Sequence, residues 1–360
     1  MVKAKRVLIM AGGTGGHVFP GLSVAKCLRE NGFDVHWMGT EKGLEAKIAT
    51  ANQFPLHLIH IQGVRGKGLK NLLLAPWRLT KAILEAMQII RSLNPDVVIG
   101  MGGFVSGPGG IASFILHKKL IIHEQNARAG LTNRFLATFA TKVLEGFPNT
   151  FKFRRNVMTI GNPVRREIAA IAAPIERFKE RTAPVRLLVF GGSLGADAIN
   201  QLLPQALAKL PAEVRPSVRH QAGEANYPRT AKSYEEHGIA AEVVPFIHEM
   251  DKAYAWADMV LCRAGALTVA ELCAAGLGAI LIPYPYAVDD HQTANANFMA
   301  NKKAAILAKQ STLNADILAV MLKELCISAE RRQAMAVAAY QLRTVNAADQ
   351  ILNICKEICH

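Results

Sequence analysis

A glycine-rich turn near the start of the chain carries a histidine that is suited to proton transfer. Residues 11–20 read AGGTGGHVFP and follow an apolar run, so the backbone is predicted to turn there from a strand into a helix. Glycines let a backbone approach a ligand closely, and the N–H groups of a helix N-terminus favour an anion. Because imidazole titrates near neutrality, His17 at the mouth of this turn is a candidate general base. A tight turn without any ligand is the alternative interpretation.

Polar groups also follow two later apolar runs of the first half. Residues 100–108 read GMGGFVSGP and form a second glycine turn, and residues 123–126 read HEQN directly after the next run. Charged and amide groups at the end of an apolar strand are costly unless they are used or exposed. Glu124 and Asn126 could therefore bind hydroxyl groups or accept a proton, and helix capping is the alternative.

The second half of the chain repeats this arrangement with a different set of polar side chains. The segment GGSLGA places Ser193 in a glycine turn, and the later segment CRAGALTVAE places Arg263 just before a predicted helix. A guanidinium beside the N–H groups of a helix N-terminus suits a phosphate. Glu271 lies inside that apolar helix, where a carboxylate can hold a ribose diol, and an exposed helix carboxylate is the alternative. A further polar cluster, DDHQTAN at residues 289–295, suits sugar hydroxyls.

The residues between these motifs must supply the elements that position them. Short apolar runs alternate with longer amphipathic segments, which predicts parallel sheets wrapped by helices. The predicted strands are residues 7–11, 35–38, 56–60, 97–100, 120–123 and 143–144, and then 187–190, 218–221, 243–245, 259–262, 279–282 and 304–308. The predicted helices include residues 20–31, 79–93, 132–140, 196–209, 266–275 and 294–300, with an all-helical end at 313–360. We expect two doubly wound α/β domains in tandem, joined near residues 161–184 and facing a cleft, with ligands at the carboxyl ends of the strands.

The composition fits such a globular protein and points to an anionic partner. The chain has 360 residues, of which 51% are hydrophobic and 19% charged, so it is not a disordered protein. Its formal net charge is +14 at pH 7. Residues 1–164 hold 21 Lys and Arg against 8 Asp and Glu, whereas residues 165–360 hold 21 against 20. This asymmetry indicates that the first half meets nucleic acid, a membrane surface or a polyanionic substrate.

Several classes of protein are excluded or disfavoured. No window has the roughly 18 uninterrupted apolar residues of a membrane-spanning helix, and the apolar run near the N-terminus is too short for a signal peptide. The six cysteines are scattered, which favours buried thiols in a reducing compartment over disulfides or a zinc site. The first glycine turn has no P-loop lysine and has Val18 at the last glycine position of the dinucleotide fingerprint, which disfavours a nicotinamide dehydrogenase. No stacked-aromatic or zinc pattern supports a nucleic-acid module.

A basic and apolar segment, residues 64–78, suits docking to an anionic membrane interface. The residues that we expect to dock are Leu69, Leu72, Leu73, Trp77, Lys67, Lys70 and Arg78. A second group that could join them is Phe114, Leu116, Lys118, Lys119 and Lys142. A core-facing helix with a solvated basic edge is the alternative interpretation.

Seven motifs in this order resemble those of one enzyme family over nearly the whole chain. They read AGGTGGHVFP, GMGGFVSGP, HEQNARAGLTN, GNPVR, GGSLGA, CRAGALTVAEL and DDHQTANA. They are similar to those of the MurG family, the UDP-N-acetylglucosamine–N-acetylmuramyl-(pentapeptide) pyrophosphoryl-undecaprenol N-acetylglucosaminyltransferases. The resemblance implies a GT-B fold of two Rossmann-like domains. Residues 1–163 would form the acceptor- and membrane-facing domain and residues 164–341 the donor-binding domain, with a last helix at about 342–360 packing back on the first.

The resemblance also implies a reaction and a location. N-acetylglucosamine would pass from UDP-N-acetylglucosamine (UDP-GlcNAc) to the C4 hydroxyl of the muramoyl sugar of lipid I, with inversion, giving lipid II for peptidoglycan synthesis. The enzyme would bind peripherally to the cytoplasmic face of the bacterial inner membrane, with no nucleic acid partner and with no cofactor or protein-bound metal. A UDP-GlcNAc 2-epimerase, which shares the two-domain fold, is the runner-up and would turn over UDP-GlcNAc without a lipid acceptor.

Carried over by position, the resemblance implies roles for individual residues. The residues that would contact the donor are Arg165, Ser193, Ile247, Arg263, Ala266, Leu267, Thr268, Val269, Ala270, Glu271 and Gln292. Ser193 and Arg263 would lie near the diphosphate, and the backbone of Ile247 would pair with uracil. Glu271 would bind the ribose, and Gln292 would bind the sugar. The residues that would reach the sugar and the acceptor from the first domain are Thr14, Gly15, Gly16, His17 and Asn126. His17 is the preferred base, and Glu124 is the alternative.

The chain departs from the family pattern at three positions. Leu194 stands where the family usually has Gln, and Asp197 stands where it often has a basic residue. A side-chain donor near the diphosphate is therefore missing, although backbone N–H groups remain. Gly278 stands where Pro is common, a difference that we interpret as structural.

Overall fold

The chain folds into two α/β units, which are described from a computed structural model. The structure describes residues 4–61, 75–152, 154, 156–179, 181 and 183–359. The first unit is Met1–Val164 together with Asn346–His360, and the second unit is Arg165–Val345. The sequence analysis places the boundary one residue earlier, after residue 163, and begins the returning helix at about residue 342.

A parallel sheet of seven strands forms the centre of the first unit, in the order β3-β2-β1-β4-β5-β6-β7. Its strands are β1 (Arg6–Met10), β2 (Asp34–Gly39), β3 (Leu56–Leu58), β4 (Val97–Gly100), β5 (Lys119–Glu124), β6 (Lys142–Glu145) and β7 (Val157–Thr159). Its helices are α1 (Gly15–Glu30), α2 (Leu44–Ala51), α3 (Ala75–Leu93), α4 (Ser106–Ile115), α5 (Leu131–Leu136) and, from the end of the chain, α15 (Ala347–Cys359).

The second unit repeats the design around a parallel sheet in the order β10-β9-β8-β11-β12-β13. Its strands are β8 (Arg186–Phe190), β9 (Ser217–Gln221), β10 (Ala241–Val244), β11 (Met259–Cys262), β12 (Ala279–Leu281) and β13 (Ala305–Leu307). Its helices are α6 (Arg166–Ala169), α7 (Pro174–Phe178), α8 (Asp197–Ala208), α9 (Tyr227–Glu236), α10 (Met250–Trp256), α11 (Ala266–Ala275), α12 (His291–Ala300), α13 (Ala315–Ile327) and α14 (Ala329–Gln341).

Side-chain alternation along the central strands builds two apolar layers in the first unit. In β1, Val7 and Ile9 join the cluster formed with α1, α2 and α15, whereas Leu8 and Met10 join the cluster formed with α3, α4 and α5. Successive residues of a strand point to opposite faces, so a strand buried on both faces must be apolar throughout. This requirement explains why the sheet strands appear in the sequence as uninterrupted apolar runs.

Both sheets reverse their strand order at one point, and the glycine turns lie there. In the first unit, the order reverses between β1 and β4, and a glycine turn follows each of these two strands. In the second unit, it reverses between β8 and β11, and a glycine turn again follows each strand. Ligands of open α/β sheets bind outside the carboxyl ends of the strands at such a switch point. The fold therefore places all four glycine motifs where ligands are expected.

The predicted alternation of strands and helices is confirmed, with a few differences. Each of the twelve predicted strands overlaps an observed one, but the short edge strand β7 was not predicted. The helices α2, α9 and α10 were not predicted either, and the supposed linker at residues 161–184 contains α6 and α7. Polar residues dominate α9, and its buried face consists of Thr230 and Tyr234, so no run of aliphatic residues marks this helix in the sequence.

The last helix of the chain, α15, completes the core of the first unit. Ile351, Leu352, Ile354 and Cys355 of α15 belong to the same buried cluster as Val24 and Leu28 of α1. The thiol of Cys27 also donates to a carboxylate oxygen of Asp349 at 3.5 Å. Because α15 closes a cluster that contains β1, its packing supports the strand from which the first glycine turn emerges.

Truncating the apolar face of α15 should destabilise the first unit. Ile351 is fully buried, so Ile351→Ala should lower the free energy of unfolding of this unit by about 2–5 kcal/mol through lost burial and a residual cavity. Glu357→Ala, on the exposed face of the same helix, should change it by less than about 0.5 kcal/mol. Denaturant unfolding followed by circular dichroism measures both. Equal effects of the two substitutions would contradict the packing of α15.

Candidate active site

Two glycine turns of the first unit pack directly against each other. Gly103 has φ of +80°, and a Cβ atom there would overlap the carbonyl oxygen of Gly12. Gly102 has φ of +94°, and a Cβ atom there would lie 2.5 Å from Nδ1 of His17. Glycine is the residue that combines such backbone angles with such close approach. The glycines of the second turn thus allow its backbone to lie against the first turn and the imidazole of His17.

His17 lies in the first turn of α1, where two oxygen neighbours fix its tautomer. Nδ1 is 3.1 Å from the carbonyl oxygen of Met101 and 3.0 Å from Oε1 of Gln125. Gln125 donates from Nε2 to the same carbonyl oxygen at 2.7 Å, which orients its amide with Oε1 towards the ring. Because both neighbours of Nδ1 are acceptors, we assign the hydrogen of the neutral imidazole to Nδ1. Nε2 then holds the lone pair that a general base needs.

Gln125 is a functional neighbour that the sequence analysis missed. Its side chain is 1% exposed, and it lies in the HEQN motif between the two residues that were singled out. A buried amide must satisfy its donor and its acceptor inside the protein. That rule could have marked Gln125 as a residue with specific partners, but it could not have identified His17, 108 residues away, as one of them.

Glu124 ends β5 and braces the loop that follows it. Its side chain is 3% exposed. Oε1 accepts hydrogen bonds from the backbone N–H and the side-chain amide of Asn126, at 3.0 and 3.3 Å. Oε2 accepts from the N–H of Gly130 at 3.1 Å and from the amide of Asn133 at 2.9 Å. These contacts direct the carboxylate into the protein, and this geometry disfavours Glu124 as the base. The alternative prediction that Glu124 is the base is untested.

The residues that precede His17 present donors at the start of a helix. Thr14 is exposed, and its carbonyl oxygen accepts hydrogen bonds from the N–H groups of His17 at 3.0 Å and Val18 at 3.2 Å. Its hydroxyl makes no capping hydrogen bond to α1. The first turn of α1, which begins at Gly15 and Gly16, contains no acidic side chain that would repel an anion. Thr14, Gly15, Gly16 and His17 therefore share one turn, at the start of α1.

In the second unit, the turn after β8 differs from the family pattern in a defined way. Ser193 is exposed, and Leu194, in place of the usual Gln, is 85% exposed. Asp197 begins α8 and forms an ion pair with Arg229 of α9, and it also accepts a hydrogen bond from Gln201 at 2.8 Å. A carboxylate in the first turn of a helix repels an anion at that terminus. The ion pair with Arg229 offsets part of that repulsion at the start of α8.

A buried carboxylate of α11 forms an ion pair with a partly exposed arginine. Glu271 is 5% exposed, and its Oε1 accepts hydrogen bonds from Nε and Nη2 of Arg165 at 3.1 and 2.9 Å. Its Oε2 accepts from the hydroxyl of Tyr254 at 3.2 Å. Burial raises the pKa of the Glu271 carboxyl, and the Arg165 guanidinium opposes that rise. The structure thus joins two predicted donor contacts, Arg165 and Glu271, and adds Tyr254, which the sequence analysis missed.

Arg263 is held by the loops around it. Its guanidinium donates to the carbonyl oxygens of Ile282 at 3.2 Å and Pro283 at 3.1 Å, and to Oε1 of Gln310 at 2.7 Å. Burial lowers the pKa of this guanidinium below its ordinary value. The sequence analysis places Arg263 near a phosphate, and these three hydrogen bonds engage Nη1 and Nη2, so they use at most three of the five N–H donors of the guanidinium. The helix α11 begins three residues later, at Ala266, and Leu267, Thr268, Val269 and Ala270 form its first turns.

The backbone N–H of Ile247 also has an internal partner. It donates to Oε1 of Gln221 at 3.1 Å, and Nε2 of Gln221 donates to the carbonyl oxygen of Gly192 at 2.8 Å. Gln221 thereby links the turn after β8 to the loop after β10. The predicted pairing of Ile247 with uracil requires this N–H to leave Gln221. Gln292 is engaged as well, because its Oε1 accepts from the N–H of Tyr284 at 2.8 Å.

Exposed aromatic side chains lie on three helices of the first unit. Trp77 of α3 is 71% exposed, Phe114 of α4 is 55% exposed and Phe135 of α5 is 56% exposed. The rings of Phe114 and Phe135 both contact Phe139, with centroid distances of 4.6 and 5.5 Å. Arg78 follows Trp77 in α3. The predicted docking residues that lie outside the described part of the chain are Lys67, Leu69, Lys70, Leu72 and Leu73.

Two further observations concern metals and membrane spans. Within the described residues, no three or more His, Cys, Asp or Glu side chains are grouped so that they could hold a metal ion. The expectation that no metal or cofactor takes part stays a prediction. In the same part of the chain, every helix is too short or too polar to cross a bilayer.

Comparisons with known proteins first establish the class. Residues 7–145 match the glycosyltransferase family 28 N-terminal domain, and residues 186–351 match the glycosyltransferase family 28 C-terminal domain. The first match spans strands β1 to β6 of the first sheet, and the second spans all six strands of the second sheet. The chain is therefore a family 28 glycosyltransferase, and the predicted α/β fold with two Rossmann-like domains of the GT-B type is confirmed.

Closer relatives then define the family. A protein of Marinobacter nauticus is 52% identical over 98% of this chain and 97% of its own length, and one of Pseudomonas entomophila is 51% identical over 99% and 98%. Both are named UDP-N-acetylglucosamine–N-acetylmuramyl-(pentapeptide) pyrophosphoryl-undecaprenol N-acetylglucosamine transferase. The crystal structure of Acinetobacter baumannii MurG is 40% identical, covers 98% of this chain and 99% of its own, and has a TM-score of 0.86. The chain belongs to this family of N-acetylglucosaminyltransferases, MurG, so the predicted hexosyltransferase class is confirmed.

More distant structures share the fold alone. A UDP-N-acetylglucosamine 2-epimerase is 12% identical, covers 97% of this chain and 95% of its own, and has a TM-score of 0.64. At that identity, the likeness carries no argument for an epimerase activity in this chain.

Proposed function

We propose that this chain transfers N-acetylglucosamine from UDP-GlcNAc to the C4 hydroxyl of the muramoyl sugar of lipid I, giving lipid II with inversion at the anomeric carbon. Family membership supports the donor, the acceptor and the class of reaction. In an inverting displacement, the acceptor hydroxyl attacks the anomeric carbon while UDP departs from the opposite face. A base must therefore take up the hydroxyl proton as the new bond forms.

The geometry of His17 is the observation that carries this mechanism. Nδ1 is committed to two oxygen acceptors, so Nε2 is the atom that receives the proton from the C4 hydroxyl. As the ring becomes positively charged, the carbonyl oxygen of Met101 and Oε1 of Gln125 stabilise it through the Nδ1 hydrogen. Thr14, Gly15, Gly16 and Asn126 bind the hydroxyl groups of the sugars that meet at this turn.

The departing diphosphate is best accommodated at the N-terminus of α11. This helix has ten residues and no acidic side chain in its first turn, whereas α8 begins with Asp197. The N–H groups of Ala266, Leu267 and Thr268 and the guanidinium of Arg263 together offset the charge that develops on UDP. Ser193 adds a hydroxyl from the opposite turn. Such a site stabilises the leaving group without a resident metal ion.

The nucleoside end of the donor meets Glu271 and Ile247. The Glu271 carboxylate accepts hydrogen bonds from the ribose hydroxyls, with Arg165 retained as its counter-ion. The backbone of Ile247 pairs with the edge of uracil after its N–H leaves Gln221. Gln292 binds the transferred sugar.

Replacing His17 tests the assignment of the base. His17→Ala should lower kcat by about 100-fold or more and leave UDP affinity nearly unchanged, because the donor site lacks this residue. The measurement is transfer of labelled N-acetylglucosamine from UDP-GlcNAc to a lipid I analogue. His60→Ala is the matched control, since this histidine is 75% exposed and pairs with Glu85. A kcat of His17→Ala close to that of the wild type would remove His17 from the role of base.

Consumption of UDP-GlcNAc by the wild type without a lipid acceptor would instead favour an epimerase activity.

Replacing Glu271 tests the donor site. Glu271→Ala should weaken UDP binding by about tenfold or more, since hydrogen bonds to a charged group are among the stronger ones. Isothermal titration calorimetry with UDP measures the effect. The control is Glu242→Ala, which removes an exposed carboxylate of the same unit that pairs with Arg219. Equal UDP affinities of Glu271→Ala and wild type would refute the ribose contact.

The first unit docks peripherally on the anionic cytoplasmic face of the bacterial inner membrane, where lipid I is anchored. Two observations support this part of the proposal. The helices α3, α4 and α5 pack on the same face of the sheet and expose Trp77, Phe114 and Phe135. Residues 1–164 carry a net charge of +13, and exposed cations such as Lys119 and Arg134 lie on or beside these helices. Aromatic and cationic side chains together bind an anionic interface.

Vesicle binding tests this docking. The wild type should sediment with phosphatidylglycerol-containing vesicles and much less with pure phosphatidylcholine, and the difference should shrink as salt is raised. Trp77→Ala should weaken the binding severalfold, because an indole gains free energy in the interface. Tyr286→Ala, which removes an 81% exposed aromatic ring from the second unit, should leave it unchanged. Equal binding to neutral and anionic vesicles would refute the proposed surface.

A further inference from the structure

A buried carboxylate lies directly beneath the glycine turn that carries His17. Glu45 is the second residue of α2 and is 0% exposed. Its Oε2 accepts a hydrogen bond from the N–H of Gly13 at 3.1 Å, and its Oε1 accepts from the N–H and the hydroxyl of Thr40, at 3.1 and 2.7 Å. Glu45 thereby ties the turn after β1 to the loop after β2.

Three glycines leave the space that this side chain occupies. A Cβ atom at Gly12 would lie 3.0 Å from Oε1 of Glu45, one at Gly39 would lie 2.6 Å from its Cγ, and one at Gly43 would overlap its carboxylate. Gly12 comes from the turn after β1, and Gly39 and Gly43 come from the connection between β2 and α2. Because the interior is packed this closely around it, the carboxylate has a single position and cannot swing away from Gly13.

The groups around Glu45 suit a carboxylate better than an amide. All three groups that approach Glu45 are donors, and a carboxylate accepts through both oxygens, whereas an amide must present one donor. Glu45 also lies in the first turn of α2, where the helix dipole stabilises a negative charge. The site is therefore built for a carboxylate, and an isosteric amide would set an N–H group against the N–H of Gly13.

We infer that Glu45 is a positioning residue for the transfer reaction. It fixes the N–H of Gly13, and through the following residues it holds the start of α1 so that Nε2 of His17 faces the acceptor hydroxyl. Reacting groups must be held in near-attack geometry, and a displacement of about 1 Å can lower the rate 100-fold. This inference rests on the proposed function, since it assumes that His17 is the base.

A second buried carboxylate of the same unit provides a matched control. Glu145 is 4% exposed, and its Oε1 accepts from the N–H of Asn149 at 3.0 Å and the hydroxyl of Thr159 at 2.6 Å. Its Oε2 accepts from the N–H of Phe151 at 3.2 Å. Glu145 and Glu45 thus have the same kinds of donors, but the loop that Glu145 holds carries none of the residues proposed to touch substrate.

The test compares Glu45→Gln with Glu145→Gln in the full-length enzyme. Glu45→Gln should lower kcat by about tenfold or more, with the KM for UDP-GlcNAc unchanged within about twofold. Glu145→Gln should lose comparable thermal stability and keep kcat within about threefold of the wild type. The imidazole nitrogens of His17, followed by ¹⁵N-detected NMR, should shift or broaden in Glu45→Gln and keep the wild-type pattern in Glu145→Gln.

A milder variant keeps the inference testable if Glu45→Gln fails to fold. Thr40→Val removes only the hydroxyl that donates to Oε1, and it should lower kcat about two- to fivefold without a change in the KM for UDP-GlcNAc. The inference is overturned if the folded Glu45 variant keeps wild-type kcat, if both glutamine variants lose kcat equally, or if the His17 resonances stay unchanged. The proposed function fails by a different result, namely a wild type that does not transfer the sugar or a fully active His17→Ala.

Discussion

The close approach of Gly12 and Gly103 is the constraint on which the geometry of His17 depends. Strands β1 and β4 are hydrogen-bonded neighbours with Met10 opposite Gly100, so the turns that follow them leave the sheet side by side. They can cross only where neither backbone carries a side chain. That contact brings the carbonyl oxygen of Met101 next to Nδ1 of His17. Gln125 donates to the same carbonyl oxygen and lies beside the imidazole ring. The proton-accepting tautomer is therefore a consequence of backbone packing between two loops.

Buried carboxylates hold loops in place in the most basic part of the chain. Glu45, Glu124 and Glu145 are three of the eight acidic residues among residues 1–164, and each accepts hydrogen bonds from loop N–H groups. Burial is tolerable for a carboxylate only with such donors. It also removes negative charge from the surface, so the face that meets solvent is more cationic than the composition alone indicates. The same burial would strengthen the proposed attraction of this unit to an anionic interface.

The sequence predicted the strands and helices that a local pattern of residues determines. It missed the side-chain contacts between residues that are distant in the sequence. The bounds of β4, β11 and α11 agree with the prediction because each is an apolar run closed by glycine or a charged residue. The edge strand β7 has three residues and is partly exposed, so it lacks that pattern. His17 and Glu271 could be found because their motifs are contiguous. Their partners Gln125 and Tyr254 come from other elements, and only the folded sheet brings them into contact.

The second unit shows why motif residues alone describe a donor site incompletely. Each of three predicted donor contacts has an internal partner. Arg263 bonds to backbone carbonyl oxygens and to Gln310, and the N–H of Ile247 bonds to the side-chain amide of Gln221. Glu271 bonds to Arg165 and Tyr254. Glu271 is buried, and without its partners its carboxylate would destabilise the unit before any donor arrived. In the proposed donor site, a uracil that bonded to the N–H of Ile247 would take the place of Gln221, so this contact would contribute less net free energy than one to an unpaired group. Discrimination at this position would then depend on how well the ligand reproduces the hydrogen bond of Gln221 that it displaces.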